Sequence, residues 1–164
     1  MEYRINDKEY RKALDIHLKL NPNSVFIGRT GSQLYLASVL PKREFEIVSS
    51  NLERIEVAGK KPFLNHDPIP IDFYNDEEGF IDSNKICVSI FGKEYPIASP
   101  EDIIGLMWSK ENFGNKERFE ASTLMTVLSN EGVSINFELI RSYLKRCNDP
   151  RREMQLKELA YTLS

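Results

Sequence analysis

Two small residues followed at set distances by three acids constrain this chain more than any other feature. Gly31 and Ser32 are followed, after a helix-length gap, by Glu44 and Glu46, and later by Asp72. Alternate residues of a strand point to the same face, so a strand at Glu44–Ile47 would project both glutamates together. Asp72 lies on a second strand-like run and would join them if the two strands are neighbours. The spacing therefore predicts a mixed α/β core that gathers three carboxylates.

A cluster of three carboxylates has a chemical consequence. Like charges held this closely repel, and a divalent cation relieves the repulsion, so Glu44, Glu46 and Asp72 are predicted to bind Mg²⁺ or Mn²⁺. The turn at Gly31 and Ser32 precedes a helix, whose free N–H groups attract phosphate. Arg29 would add a charged contact to that phosphate. The alternative is an ordinary glycine before a helix and glutamates on a solvated strand face.

Composition limits the class of protein. The chain has 164 residues, 41% of them hydrophobic and 29% charged, which suits a globular α/β core (1–98) with a C-terminal helical portion (99–164) packed on it as one compact unit. A net charge of -3 argues against nucleic-acid binding through a broad basic surface. Cys87 and Cys147 lack metal-ligand spacing and are expected to be free thiols. With no membrane-length apolar run, the expectation is a cytoplasmic protein without a membrane partner.

The first part of the chain alternates helix and strand signals. Asp7 is a suitable N-cap for the first helix, on which His17 is expected to pack in the core. A glycine at position 92 indicates a hairpin. The segment 51–57 fits either a helix or a strand. The other predicted elements are a helix at 7–20, strands at 24–28, 44–47 and 70–74, a helix at 33–40, a loop at 60–68, and hairpin strands at 85–91 and 93–98.

Helix signals dominate after the hairpin. Ser99 is a suitable N-cap, Pro100 suits the first helical position, and Asp102 can complete a capping box. Further helices are predicted at 116–128, at 136–146 and after Pro150. Fold class is therefore predicted as α/β (α+β), a mixed sheet flanked by helices with a C-terminal helical extension.

The order of these features resembles the nucleotidyltransferase superfamily that shares the polymerase-beta-like palm. Members carry a strand, a Gly-Gly or Gly-Ser pair before a helix, an acidic-x-acidic strand and a further acidic strand. Gly31 and Ser32 match the pair, Glu44 and Glu46 the acidic strand, and Asp72 the third acid. The resemblance implies that the glutamates hold the metals, that Asp72 binds a metal or activates the acceptor hydroxyl, and that the Gly-Ser pair holds a triphosphate.

A later segment is similar to the AbiEii-like, or minimal, nucleotidyltransferases. Lys93 to Ile104 looks like their hairpin and "SPEDLI" helix start, and Lys110 stands where they carry a lysine. The resemblance implies transfer of a nucleotidyl group from a nucleoside triphosphate to a hydroxyl of RNA, protein or a small molecule. It also implies a toxin-antitoxin or abortive-infection role with an antitoxin-type partner. Lys110 would contact substrate, or would simply be a solvated lysine.

Three departures from the family pattern leave a second interpretation open. Glu44 replaces the usual Asp, Thr30 replaces a hydrophobic residue, and Glu117 replaces an Asp after Lys116. A glutamate moves its carboxylate by one methylene, and Mg²⁺ tolerates such displacement poorly. The alternatives to an active enzyme are a catalytically inactive binding or regulatory module of the same fold, and an unrelated α/β domain.

Overall fold

The computed structural model describes residues 2–60, 64 and 69–163. Within those residues the chain forms eight helices and five strands, and its class is mixed α/β, as predicted. The chain divides into two compact units, Met1–Ser99 and Pro100–Ser164. The packing of residues 99–164 on the core as one unit stays a prediction. No helix among the described residues combines the length and apolarity that a membrane crossing needs.

The first unit contains one mixed sheet with helices around it. Its elements in chain order are α1 (Lys8–Leu20), β1 (Val25–Phe26), α2 (Gly28–Val39), α3 (Lys42–Val48), β2 (Ile55–Gly59), β3 (Ile71–Asn75), α4 (Phe80–Ser83), β4 (Ile86–Ile90) and β5 (Lys93–Ile97). The strand order is β3-β2-β1-β5-β4, so β1 is central and β3 and β4 form the two edges.

The sheet mixes parallel and antiparallel pairs. β1 pairs antiparallel with β2 and parallel with β5, where Phe26 faces Ile97. β2 and β3 run parallel, and β4 and β5 form the predicted hairpin. Its two-residue turn, Phe91-Gly92, has φ angles of 52° and 78°. Two positive φ values in succession match the right-handed twist of the hairpin strands, which explains the glycine but not the phenylalanine.

Helix α1 packs as its sequence predicts. Asp7 occupies the N-cap position, although its carboxylate accepts a hydrogen bond from the Arg4 N–H (2.8 Å) and makes no side-chain bond to the helix. Tyr10, Leu14 and His17 are buried at helical spacing. The His17 imidazole Nε2 lies 3.0 Å from the Ser24 hydroxyl, so the prediction of a packed core histidine is confirmed.

Two predictions around the Gly-Ser pair are wrong. The helix begins at Gly28 instead of residue 33, so Gly31 and Ser32 lie inside α2 and not in a turn. The predicted strand at 44–47 is helix α3, which starts directly after Pro41 (φ -57°). A seven-residue segment with one buried side chain, Phe45, satisfies a helix as well as a strand, and the fixed φ of proline favours helix entry.

Three further predictions concern the neighbouring segments, and one of them falls largely outside the described residues. The segment 51–57, which fitted either a helix or a strand, ends in the first three residues of strand β2. The predicted strand at Asp72 is β3. Most of the predicted loop at 60–68 lies outside the described residues. The acidic turn after β3 leads into α4, where the Asp76 carboxylate accepts hydrogen bonds from the Ile81 and Asp82 N–H groups (3.2 and 3.0 Å).

The second unit consists of helices. They are α5 (Pro100–Trp108), α6 (Asn115–Asn130), α7 (Phe137–Leu144) and α8 (Pro150–Leu163). Helix α5 begins at Pro100 as predicted, and its buried Asp102 accepts a hydrogen bond from the Tyr143 hydroxyl of α7. Asn136 caps α7 by accepting from the Leu139 N–H (3.2 Å). The predicted positions of the four helices after the hairpin are therefore confirmed.

Candidate functional site

The three predicted metal-binding acids do not meet. Glu44 and Glu46 are exposed on α3, where residues two apart point about 200° from each other around the helix axis. Glu46 lines a cavity together with Ser89 and Ile90 of β4, at one edge of the sheet. Asp72 lies on β3, the strand at the opposite edge. Among the described residues there is no group of three or more His, Cys, Asp or Glu side chains that could hold a metal.

The predicted phosphate-binding pair is also placed differently. The Gly31 N–H donates to the Ile27 carbonyl (2.9 Å) as part of α2, so it is not free for a ligand. Ser32 is fully buried, and its hydroxyl has no hydrogen-bond partner within the described part of the chain. Neither residue presents a donor at the start of the helix. Lys110 lies in the second unit, two residues beyond α5, and is partly buried.

A different glycine lies at the start of α2. Gly28 has a φ of +58°, and a Cβ built on it would stand 2.6 Å from the Glu56 carboxylate. Only glycine adopts this backbone without strain and leaves room for that carboxylate. Glu56 comes from β2, has a relative exposure of 4%, and accepts a hydrogen bond from the Arg29 N–H (2.7 Å). A carboxylate therefore fills the N-terminal end of α2, where the helix dipole favours an anion.

Further hydrogen bonds hold the backbone of Glu56 in place. The Glu56 N–H donates to the Thr30 hydroxyl (3.0 Å), which lies 2.7 Å from the Tyr10 hydroxyl. Tyr10 also donates to the Arg54 carbonyl (2.7 Å), and burial raises the pKa of its phenol above the usual range. The phenol thus stays a proton donor throughout the physiological pH range. We call Tyr10, Gly28, Arg29, Thr30 and Glu56 the Glu56 cluster.

One predicted acid does lie beside this cluster. Asp72 of β3 is the register partner of Glu56 on β2, and the two strands run parallel. Register partners on adjacent strands are about 4.8 Å apart and present their side chains on the same face of the sheet. Asp72 is half-buried. The sheet therefore places two acidic residues at paired positions of adjacent strands, although only one of them belongs to the predicted trio.

Two sequence signals indicate residues that lie outside the predicted site. Gly28 follows directly on the apolar run Val25–Ile27, at the place where a strand must turn into a helix. Glu56 is the single charge within the run Ile55–Ala58, and a charge inside an otherwise apolar strand indicates a buried, paired side chain. Both signals are short, and the clearer alternation at Glu44–Ile47 outweighed them.

A cavity lies beside the end of β2. It measures about 610 Å³ and is bordered by Ser24, Val25, Ala58, Gly59, Lys60 and Asp76. Ala58 follows Glu56 by two residues and therefore shares its face of the strand. Asp76 is turned toward the start of α4, where it accepts two backbone hydrogen bonds.

A search with protein-family models matches none of them to the chain, and no curated protein matches its sequence. The geometry therefore carries the functional argument.

Proposed function

We propose that this chain is a non-catalytic binding module of the nucleotidyltransferase type. In this proposal the Glu56 carboxylate occupies the N-terminal end of α2, where a phosphate would otherwise bind. The proposal rests on one observation, the Glu56 carboxylate that contacts Gly28 and accepts the Arg29 N–H at 2.7 Å. An incoming phosphate would have to displace this buried group and would meet its negative charge. The module thus keeps the layout of a phosphate site and supplies the anion itself.

The order of elements supports the family assignment. A strand, a glycine, a helix, a strand with an acid and a further acidic strand appear as β1, Gly28, α2, β2 and β3, with the short helix α3 inserted between α2 and β2. The acid of β2 is Glu56, and the position two residues later, where the superfamily pattern has its second acid, is Ala58. Asp72 on β3 keeps the place of the third acid. This arrangement lacks one of the three carboxylates that the superfamily uses to hold its metals.

A second candidate function is favoured by the Glu56–Asp72 register. Mg²⁺ is commonly held by one or two carboxylates together with substrate phosphates, so this pair fits a magnesium site while Glu44 and Glu46 do not. The ion would supply charge neutralisation for nucleotidyl transfer from a nucleoside triphosphate to a hydroxyl of RNA, protein or a small molecule. Glu56 would then have to leave the Arg29 N–H to bind it.

Calorimetric titration separates the two candidates. ATP, GTP, CTP and UTP are titrated in Mg²⁺ and in Mn²⁺ into the wild-type protein, Glu56→Gln and Asp72→Asn. A binding module gives no metal-dependent heat with any of the four nucleotides. Metal-dependent binding by the wild type that is lost in both variants contradicts the binding module and supports the enzyme.

The matched control is the double variant Glu44→Gln/Glu46→Gln, which removes two exposed carboxylates of the same type. It should behave as the wild type does in every titration. Loss of nucleotide binding in this control alone would return the site to α3 and would contradict both candidates.

A further inference from the structure

The tip of the β4–β5 hairpin carries an aromatic residue where a small one is expected. Phe91 has a φ of +52° and a relative exposure of 70%. A bulky residue in this left-handed region is a genuine outlier, and its exposed ring gains little from packing. Strain at an exposed position indicates a use for the side chain that stability does not explain.

Basic side chains lie close to this ring. The Arg11 guanidinium lies over the ring, 4.3 Å from its centroid. A cavity of about 240 Å³ is lined by Phe91 and Lys93 and by three basic residues of α1, Lys8, Arg11 and Lys12. Arg11 and Lys12 come three and four residues after Lys8, so all three lie near one another on the helix surface. We call Lys8, Arg11, Lys12, Phe91 and Lys93 the Phe91 patch.

The carboxylate that also borders the cavity is already engaged. Asp15 accepts hydrogen bonds from the Tyr95 hydroxyl (2.9 Å) and from Lys93 (2.5 Å). Burial, followed by the Asp15 hydrogen bond, raises the pKa of Tyr95 to about 12, so this donor holds Asp15 across the physiological range. Neither Lys8 nor Lys12 has an acidic partner within residues 2–60, 64 and 69–163. Their charge therefore faces solvent uncompensated.

A second cavity continues from the patch. It measures about 430 Å³ and shares Arg11, Ile90 and Phe91 with the first. Apolar side chains line one part of it, and Lys42 and Glu46 add one charge of each sign. A cationic recess thus adjoins an exposed ring and a partly apolar recess. That sequence of surfaces complements a chain of phosphates with unpaired bases, since bases stack on aromatic rings while lysine and arginine neutralise the backbone.

We propose that the Phe91 patch is a binding site for single-stranded nucleic acid. A base stacks on the open side of the Phe91 ring, and Lys8 and Lys12 of α1 contact the phosphates beside it, while Lys93 stays paired with Asp15. The local basic charge operates despite a net charge of -3 for the whole chain, because screening confines each contact to about 10 Å. The proposal rests on other residues than the Glu56 cluster and does not depend on the proposed function.

The test is fluorescence anisotropy of the full chain with a labelled 12-nucleotide single strand of mixed sequence, as RNA and as DNA. Phe91→Asn keeps a residue that tolerates positive φ and should weaken binding about tenfold by removing the stacking surface. Lys8→Ala/Lys12→Ala should lower the slope of log affinity against log salt by about 0.7 for each lost phosphate contact. Circular dichroism and thermal melting of each variant confirm that it is folded.

The matched control is Lys145→Ala/Lys157→Ala, which changes the net charge equally at exposed positions of the second unit. It should bind as the wild type does. Equal weakening in this control, or equal affinity for the same sequence as a duplex, would overturn the proposal, because either result means attraction to charge without base stacking. Absence of wild-type binding to both single strands at low salt would overturn it as well. The nucleotide titrations at Glu56 are independent of all these outcomes.

Discussion

The Glu56 cluster and the Phe91 patch differ in the burial and pairing of their charged side chains. Glu56 is 4% exposed and is held by the Arg29 N–H at the start of α2. Phe91 is 70% exposed, and two lysines beside it, Lys8 and Lys12, lack acidic partners in the described residues, whereas Lys93 is paired with Asp15. The charge of the Glu56 cluster is bound within the protein, whereas Lys8 and Lys12 of the Phe91 patch have no ion pair in the described residues. A closed cluster contributes to stability, and an open patch is available for a partner. Mutations should therefore affect stability at the first and binding at the second.

The largest effect on stability is expected from Gly28→Ala. The new Cβ would stand 2.6 Å from the Glu56 carboxylate at a φ of +58°, so strain and overlap together should cost about 3 kcal/mol. Urea unfolding measures the loss. Gly92→Ala is the control, because its φ is +78° and nothing lies within 4 Å of its Cβ. It should cost only about 1 kcal/mol. Equal losses in the two variants would show that Glu56 does not confine Gly28.

Thr30→Val comes next. Valine keeps the shape but removes the hydroxyl that accepts from the buried Glu56 N–H and contacts Tyr10, which should cost about 2 kcal/mol. Thermal and urea unfolding report it. In Thr126→Val the lost hydroxyl is exposed and bonds only its own helix, so a change within about 0.5 kcal/mol is expected. A loss at Thr30 no larger than at Thr126 would mean that the buried hydrogen bonds are dispensable.

Phe91→Asn should raise stability. Asparagine tolerates positive φ better than phenylalanine, so relief of strain at the hairpin tip is expected to add about 0.5–1 kcal/mol. Phe119→Asn replaces a phenylalanine that is also exposed (59%) but lies within a helix, and it should give no gain. The same urea unfolding series measures both. A loss of stability in Phe91→Asn would show that the ring packs usefully, and the strain argument for the patch would fail.

The smallest effect is expected on α3. Glu44→Gln/Glu46→Gln removes two exposed charges that lie outside the Glu56 cluster, so the free energy of unfolding should stay within about 0.5 kcal/mol of the wild type. The measurement is the same urea series, with the single variants as internal checks of additivity. A gain or loss above 1 kcal/mol would mean that α3 carries an interaction beyond its exposed surface.

The sequence predicted those elements whose signals are local. Gly92 marks the hairpin and Pro100 marks the start of α5, and each acts within a few residues of itself. The segment at Glu44–Ile47 was misread because its alternation is too short to separate the two periodicities. The start of α2 depends on Glu56, which lies far along the chain and reaches Gly28 only in the folded sheet. Of the three predicted acids, Asp72 is the one paired in register with another acid, Glu56. The register between strands is set by the tertiary structure, so the local sequence does not predict this pairing.

The strand order also determines when each strand can find its partner during synthesis. β1 comes early in the chain, but its parallel neighbour β5 comes last in the first unit, where Phe26 meets Ile97. Until the ribosome has released β5, one edge of this two-residue strand lacks its hydrogen-bond partner, and such an edge is prone to pair with other chains. The β4–β5 hairpin forms from neighbouring residues and can be ready first. The pairing of β5 with β1 is a long-range contact, and such contacts slow folding.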